Sequence, residues 1–465
     1  MKDLFPKEYE LRMKELLKDE YEDYLNSFIS DSYKALRFNP LKADRAQLLA
    51  LIDKYKDIFL LGGEVPWESL GFYYGGTPGK HPFHEAGAYY IQEPSAMLPV
   101  TMMEINKDMN ILDLCAAPGG KTTQIAAYLK GEGLIICNEP VNSRAAILSE
   151  NIERMGIRNA IVLSEKPDKL VGMFTDYFDR VLVDAPCSGE GMFRKNESAI
   201  KEWSIDNVYM CAKRQDDILE SASKMLRPGG ILIYSTCTFS KEEDEDCADR
   251  FLKAHPDYEL ISQQKLFPHR IKGEGHFCAK FKRQGNEMIG YSINDEAEGI
   301  NVESVIEGRL GEKSYKHLNK DVKARLEMFK KFYKDVLREP HFKGKLIFFG
   351  DNLYLIPPGT PKLEGYKVMR PGLHLGIYKK DRFEPSQALA QTLKKSEVKV
   401  SVDISVEEAK AYISGLTILW EGKERDSSMS GFCLLCCEGL SLGWGKIVGN
   451  IIKNHYPKGL RKDLK

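Results

Sequence analysis

The chain has 465 residues, with 67 lysines and arginines against 68 aspartates and glutamates and a formal net charge of −1. That balance excludes a protein basic throughout, though not a local nucleic-acid face, and the length suggests roughly two to four domains. No run reaches the roughly 18 apolar residues of a membrane span. The start, MKDLFPKEYELRMKELL, lacks the apolar core of a secretory signal, and the ten cysteines form no small disulfide scaffold, so reduced thiols and a cytoplasmic location are expected.

Two early stretches, Tyr9–Leu25 and Ala46–Phe59, repeat apolar residues at helical spacing. Between them ALRFNPLK reads as a strand ending at Pro40, because the residue before proline avoids helix. Residues 62–91 are rich in glycine, proline and aromatics and read as turns and hairpins. His81, His84 and His374 have no metal-ligand spacing with the cysteines, so no metal site is expected. Gln92–Val100 opens a short helix with Met97 and Leu98 facing a core.

From Asn110 the pattern alternates strand and helix. Asn110–Cys115 is a short buried strand, Pro118-Gly119-Gly120 a tight turn, and Lys121–Leu129 a helix. A strand, a glycine turn and a helix N-terminus make a nucleotide-binding edge, since backbone N–H groups point outward there. The run APGGK is neither the GxxxxGK[ST] of a P-loop nor the dinucleotide GxGxxG. The next strand ends in Glu139, about 20 residues on, where a carboxylate suits the two ribose hydroxyls of an adenosine cofactor. Arg144 follows on the next helix; pairing with Glu139 or Glu150 is its plain reading. The third strand ends at Ser164, Glu165 and Lys166. The fourth, with apolar Val181–Val183, ends in Asp184-Ala-Pro-Cys187. Helices are expected to about Asn207 and from Lys213 to Met225. A turn at Pro228-Gly-Gly and a fifth strand ending at Cys237 follow, then an acidic-headed helix over residues 241–256. This order implies an α/β fold with a doubly wound, mostly parallel sheet. The loop, Glu139, Asp184–Cys187 and Cys237 all fall at the carboxyl edge where such sheets hold ligands.

Past about residue 285 the rhythm stops. An acidic stretch, residues 293–313, reads as a linker, and a lysine-rich, aromatic stretch over 313–345 as a solvated helix face or a set of phosphate contacts. Small β-rich segments follow. Cys433, Cys436 and Cys437 read as buried strand cysteines, and the last 25 residues are markedly basic.

The motifs DLCAAPGGKTT, DAPCSGEG and YSTCTFS resemble those of the Nop/Sun family of S-adenosylmethionine-dependent RNA cytosine-5 methyltransferases. RFNPLK resembles a segment of that family's N-terminal domain, and QEPSAM the start of its catalytic domain. GWGK with KNHYPKGLR resembles the PUA-like RNA-binding domain of its bacterial RsmF-like ribosomal RNA branch. The resemblance implies four parts: an N-terminal RNA-binding or cap domain (1–91), a Rossmann-like methyltransferase core (92–285), a linker with a small basic β-rich domain (286–390) and a PUA-like domain (391–465). It implies S-adenosylmethionine as cofactor, held by Cys115, Ala116, Ala117, Pro118, Gly119, Gly120, Lys121, Glu139, Arg144 and Asp184. At the third strand tip the family often carries an aspartate facing the adenine; Ser164, Glu165 and Lys166 stand there instead, which leaves the adenine contact unassigned.

Cytosine carbon 5 is a poor nucleophile, so the chemistry needs a thiolate that adds to carbon 6 and a second group for elimination. Composition does not rank the two cysteines. DNA cytosine-5 methyltransferases use a Pro-Cys cysteine, which points to Cys187; in the Nop/Sun family the STC cysteine attacks, which makes Cys237 the nucleophile, Cys187 the helper in product release and Asp184 a contact to the base or the cofactor methyl. Lys121 beside them favours an ionised thiol. The target base must be unpaired or extruded, and Phe193, Arg194 and Lys195 could stack on or steer the RNA, or simply begin an amphipathic helix. The expected partner is ribosomal RNA or the small ribosomal subunit, bound by a monomer. Transfer RNA methylation, an RNA-binding assembly factor and, more distantly, a Rossmann dehydrogenase are the alternatives.

Overall fold

The computed structural model describes residues 5–286, 296–308, 318–338, 342–420 and 429–464. Its centre is an eight-stranded sheet. Along the chain its strands are β1 (Asn110–Asp113), β2 (Leu134–Asn138), β3 (Ala160–Leu163), β4 (Phe178–Asp184), β5 (Leu226–Thr236), β6 (Tyr258–Leu266), β7 (His276–Arg283) and β8 (Val368–Arg370). Their spatial order is β6-β7-β5-β4-β1-β2-β3-β8. The inner pairs are parallel, with Leu112 opposite Ile136 and Val181 opposite Leu232, whereas β6, β7 and β8 run antiparallel at the edges. Chain order reverses between β1 and β4, and the crevice at that switch point is where α/β sheets bind ligands.

Side chains alternate faces along each strand, so both faces carry an apolar layer. Leu112, Ile136, Val181 and Leu232 pack beneath α3 (Pro167–Phe174), α4 (Ile205–Met225) and α5 (Glu245–Ala254). Ile111, Ile135, Val162 and Ile233 pack beneath α1 (Gly120–Leu129) and α2 (Asn142–Arg154). Helices α1–α3 occupy the crossovers that parallel pairing requires.

Three local expectations change. The two helices expected to about Asn207 and from Lys213 are instead a short helix, Glu197–Glu202, and the unbroken α4. Ser204 caps α4 by accepting the Asn207 N–H, and no glycine or proline interrupts it afterwards. The Pro228-Gly-Gly turn is drawn into β5, where Gly229 takes φ +79° and the pairing with β4 slips in register. The acidic-headed helix begins only at Glu245, because Glu243 and Asp244 turn inward and are fully buried.

Around the core lie three smaller units. Strands 35–38, 61–65, 68–74 and 89–92 form an antiparallel sheet. Leu36, Phe38 and Phe83 share one core with Tyr412, Trp420 and Leu442 of the C-terminal unit, whose sheet has strands 401–404, 418–419, 431–437, 440–448 and 451–454. Cys433, Cys436 and Cys437 are fully buried in it. A third sheet, built from strands 300–301, 345–349, 352–356, 373–379 and 382–385, packs on Leu434 and Trp444. The acidic linker expected over 293–313 lies partly outside the described residues; its described part carries the helix Val302–Glu307. The lysine-rich stretch forms the helix Lys320–Val336, whose Phe329, Phe332 and Tyr333 are core residues rather than a stacking surface.

Candidate active site

The turn after β1 delivers the backbone of residues 115–120 to the crevice. Leu114 N–H donates to Leu182 O and Ala116 N–H to Asn138 O, which carries the ladder past the strand and fixes the loop between β2 and β4. Gly119 then takes φ +111°, and a Cβ there would lie 3.1 Å from Leu148 Cδ1, so side chain and backbone conformation both demand glycine. The first N–H groups of α1 have no intrahelical partner and face the crevice. Cys115 is half-buried, Ala116 and Ala117 are buried, and Pro118 is exposed. Asn151 Nδ2 donates to Pro118 O at 2.9 Å, tying the loop to α2.

Glu139 stands at the β2 tip and is 2% exposed. Its Oε1 accepts the Val141 N–H at 3.0 Å, and its Oε2 lies 3.2 Å from Arg144 Nη1. Arg144 Nη2 also donates to Ala117 O at 3.0 Å, so the arginine bridges the glycine turn and the carboxylate. At the β3 tip, Glu165 accepts from Lys169 Nζ at 2.6 Å and from the Lys367 N–H at 2.7 Å. The segment leading into β8 therefore closes that side of the crevice.

Asp184 ends β4. Its Oδ2 accepts from Lys121 Nζ at 2.7 Å and its Oδ1 from Ser235 Oγ at 2.9 Å; His276 Nε2 lies 3.6 Å from Oδ1. Burial alone would raise this carboxyl, but the Lys121 ammonium and the neighbouring imidazole hold it well below the usual carboxylate range. Burial alone would lower Lys121, but the Asp184 charge holds it above its ordinary value. Deeper in, Asp113 accepts from Thr122 Oγ1 at 2.6 Å, and burial pushes its carboxyl up to about 7.

Cys187 and Cys237 meet beside that ion pair. They lie 50 residues apart in sequence, yet their sulfurs are 3.2 Å apart as free thiols. Gly191 N–H donates to Cys237 O at 2.8 Å, locking one cysteine loop against the other. A hydrogen bond with the Cys237 sulfur, then burial, push the Cys187 thiol well above its ordinary range, so Cys187 keeps its proton.

A glycine turn, the Glu139 carboxylate and two paired thiols thus stand along one sheet edge. Residues 100–282 match the family 16S rRNA methyltransferase RsmB/F, and residues 5–94 match the N-terminal domain of 16S rRNA methyltransferase RsmF. Residues 331–393 match the RsmF rRNA methyltransferase first C-terminal domain, and 399–462 the methyltransferase RsmF PUA domain. Ribosomal RNA small subunit methyltransferase F of Vibrio vulnificus is 32% identical over 425 residues, covering 86% of this chain and 85% of its own. The chain belongs to the ribosomal RNA small subunit methyltransferase F family. The member from Vibrio parahaemolyticus is 31% identical over 447 residues, covering 92% of this chain and 91% of its own. Among solved structures, a methyltransferase homolog from Pyrococcus horikoshii superposes with a TM-score of 0.54 at 26% identity, over 60% of this chain and 95% of that one.

In this family member the RNA-steering role expected at residues 193–195 is corrected for two of the three. Phe193 is 1% exposed and packs against Phe5 and Tyr9 of the N-terminal segment. Arg194 Nε donates to Glu274 Oε2 at 2.7 Å, and its Nη atoms donate to Ser27 O and Gly273 O. Both side chains bolt the N-terminal helices, Lys7–Leu17 and Tyr21–Ser27, over the cysteine loops, and neither reaches solvent to touch RNA.

The sequence pattern missed the layer behind the cysteines. Glu243 Oε2 accepts from the Ser188 N–H at 3.1 Å and from Gln215 Nε2 at 2.8 Å, and Ser188 Oγ also bonds its carboxylate. Ser188 Oγ lies 2.8 Å from Thr238 Oγ1, so one buried network joins the residue after each cysteine. Glu190 does the same from the other side, accepting from Trp203 Nε1, Ser240 Oγ and the Phe239 N–H. His276, fully buried opposite the β5 end, was also missed. A carboxylate at the head of a helix reads as a dipole partner, and only the fold shows it turned inward.

Proposed function

We propose that the chain transfers a methyl group to carbon 5 of a cytosine in small-subunit ribosomal RNA, with Cys237 as nucleophile and Cys187 as its acid–base partner. The observation that carries this reading is the pair of thiols 3.2 Å apart at the tips of β4 and β5, beside the Lys121–Asp184 pair. The residues fit S-adenosylmethionine: open N–H groups at the α1 start, the glycine cradle of residues 115–120, and the Glu139 carboxylate with Arg144 beside it. That cofactor, when bound, supplies an electrophilic methyl group.

The chain's own residues do the rest. Cys237 Sγ adds to carbon 6 of the extruded base, so that electron density moves onto carbon 5, which then accepts the methyl. A water molecule then takes the carbon-5 proton, the C–H electron pair restores the 5,6 double bond, and the carbon–sulfur pair leaves with Cys237 as a thiolate. Cys187, which keeps its proton, is placed to donate it to that departing sulfur. Asp184, held ionised by Lys121, offers a carboxylate to the base or to the transferred methyl. The apolar faces of the N-terminal helices cover the far side of the cysteine loops.

The reading includes a monomer in a reducing compartment; all ten cysteines are free thiols. The test is a denaturing gel of Cys187→Ala protein incubated with S-adenosylmethionine and small-subunit ribosomal RNA. A covalent protein–RNA band that vanishes on adding Cys237→Ser supports the assignment. A band from Cys237→Ala instead reverses the two roles. No band from either, with naked RNA and with assembled subunits, while the wild-type protein labels cytosine, rules out the covalent route.

A further inference from the structure

A second cavity, remote from the cysteines, lies where the N-terminal unit, the segment 391–401 and the C-terminal sheet meet. It measures about 1000 Å³, the upper end of the roughly 300–1,000 Å³ range of small-ligand sites. The segment 40–54 forms one wall, residues 391–401 a second and the hairpin 438–441 a third. Its lining is cationic: Lys54, Arg338, Lys394, Lys395 and Lys399 face two carboxylates, Asp44 and Glu438.

Those cations are not all occupied. Lys54 pairs with Glu438 at 2.8 Å, Lys395 pairs with Asp403, and Lys399 Nζ donates to Lys334 O. Arg338 and Lys394 are exposed and make no ion pair with a described residue. Lys42, also in the wall, offers no free cation, because its ammonium donates to Gln391 and burial pushes it down to about 7.

The lining contains no aromatic side chain, so the cavity lacks the stacking platforms that hold bases. Cations match phosphate oxygens instead. We propose that this cavity is a second RNA site, holding the phosphodiester backbone of the ribosomal RNA substrate at a distance from the target cytosine, with Arg338 and Lys394 as its phosphate contacts. The proposal rests on the ribosomal RNA reading above. Such a site adds affinity and register without reading sequence, because a phosphate looks alike at every nucleotide.

The test compares Arg338→Glu/Lys394→Glu with the charge-matched control Lys107→Glu/Lys253→Glu, both as full-length protein. Binding of small-subunit ribosomal RNA is measured across a salt series, and S-adenosylhomocysteine affinity reports that the core is intact. Two lost phosphate contacts lower the log–log salt slope by about 1.4 for single-stranded RNA. The expected result is that drop, a Kd weakened about tenfold or more, a raised KM for RNA and unchanged S-adenosylhomocysteine binding, with the control at wild-type values. The same slope and Kd in both double variants overturn the site. A wild-type protein that neither binds nor methylates ribosomal RNA overturns the underlying reading, and the site with it.

Discussion

Replacing Lys121 with methionine isolates the interaction that defines the site. The ammonium sits 2.7 Å from Asp184 Oδ2, with side-chain exposures of 10% and 31%. At an effective dielectric near 20 the Coulomb attraction at that distance is about 6 kcal/mol, and desolvation of both ions offsets much of it. Removing one partner of a buried pair costs about 3–5 kcal/mol; because Asp184 keeps partial exposure, the lower end, about 3 kcal/mol, applies. For a domain of this size that is a fall in Tm of about 6–12 °C. The sign with pH follows from Asp184. In the wild type its depressed carboxyl contributes stability above the ordinary aspartate range and loses it as pH falls. Without Lys121 the carboxyl rises, so the variant recovers relative to the wild type as pH falls from neutral into the ordinary aspartate range. Thermal unfolding with bound S-adenosylhomocysteine, followed across that range, measures both effects. Lys121→Met/Asp184→Asn should be more stable than Lys121→Met, since the stranded charge is gone. A double variant whose loss equals the sum of the two single losses at every pH would refute the coupling.

Gly119→Ala forces a left-handed backbone and a 3.1 Å contact on Leu148, about 1–2 kcal/mol of strain in the cradle. Calorimetry should show S-adenosylhomocysteine bound roughly 5- to 30-fold more weakly, and a change under twofold would count against the cradle. Burial pushes Glu243 up to about 7 and Asp244 up to about 8. Raised carboxyls favour folding below the ordinary carboxylate range and lose that contribution as pH climbs through these values, so Tm should fall between pH 6 and 8.5. Glu243→Gln should shrink that fall, and an unchanged pH profile would deny Glu243 its buried role. Arg194→Met leaves Glu274 only the Lys195 ammonium, 3.9 Å away, and should destabilise the fold by about 3 kcal/mol while leaving the salt slope of RNA binding at its wild-type value; a lower slope would return Arg194 to the RNA surface.

The loop, both cysteines and the strand rhythm were legible because each is a local signal. Gly119 announces itself through the turn it permits, and Asp113, Glu139 and Asp184 each close an apolar run of strand length. The order of those runs was enough to place them on one edge of a parallel sheet, since parallel crossovers leave few other arrangements. What sequence could not show is what covers each face. Phe193 and Arg194 looked available because nothing local reveals that residues 5–28 return to bury them. Glu243 suited a helix N-terminus in sequence, and only the approach of Ser188 and Gln215 from other elements draws it inside.

The same limit governs the long-range joins. Alternation in the strand Val368–Arg370 says that it pairs, not that its partner is β3, some 200 residues earlier. The shared core of the N- and C-terminal units, and the cationic cavity it leaves beside Ser441, likewise depend on which apolar faces meet. Sequence by itself determined the chemistry, because reacting groups must be specific residue types at specific strand ends. The tertiary structure decided which charges are spent on folding and which stay exposed, because burial is a property of every element packed around a residue and not of its neighbours in the chain.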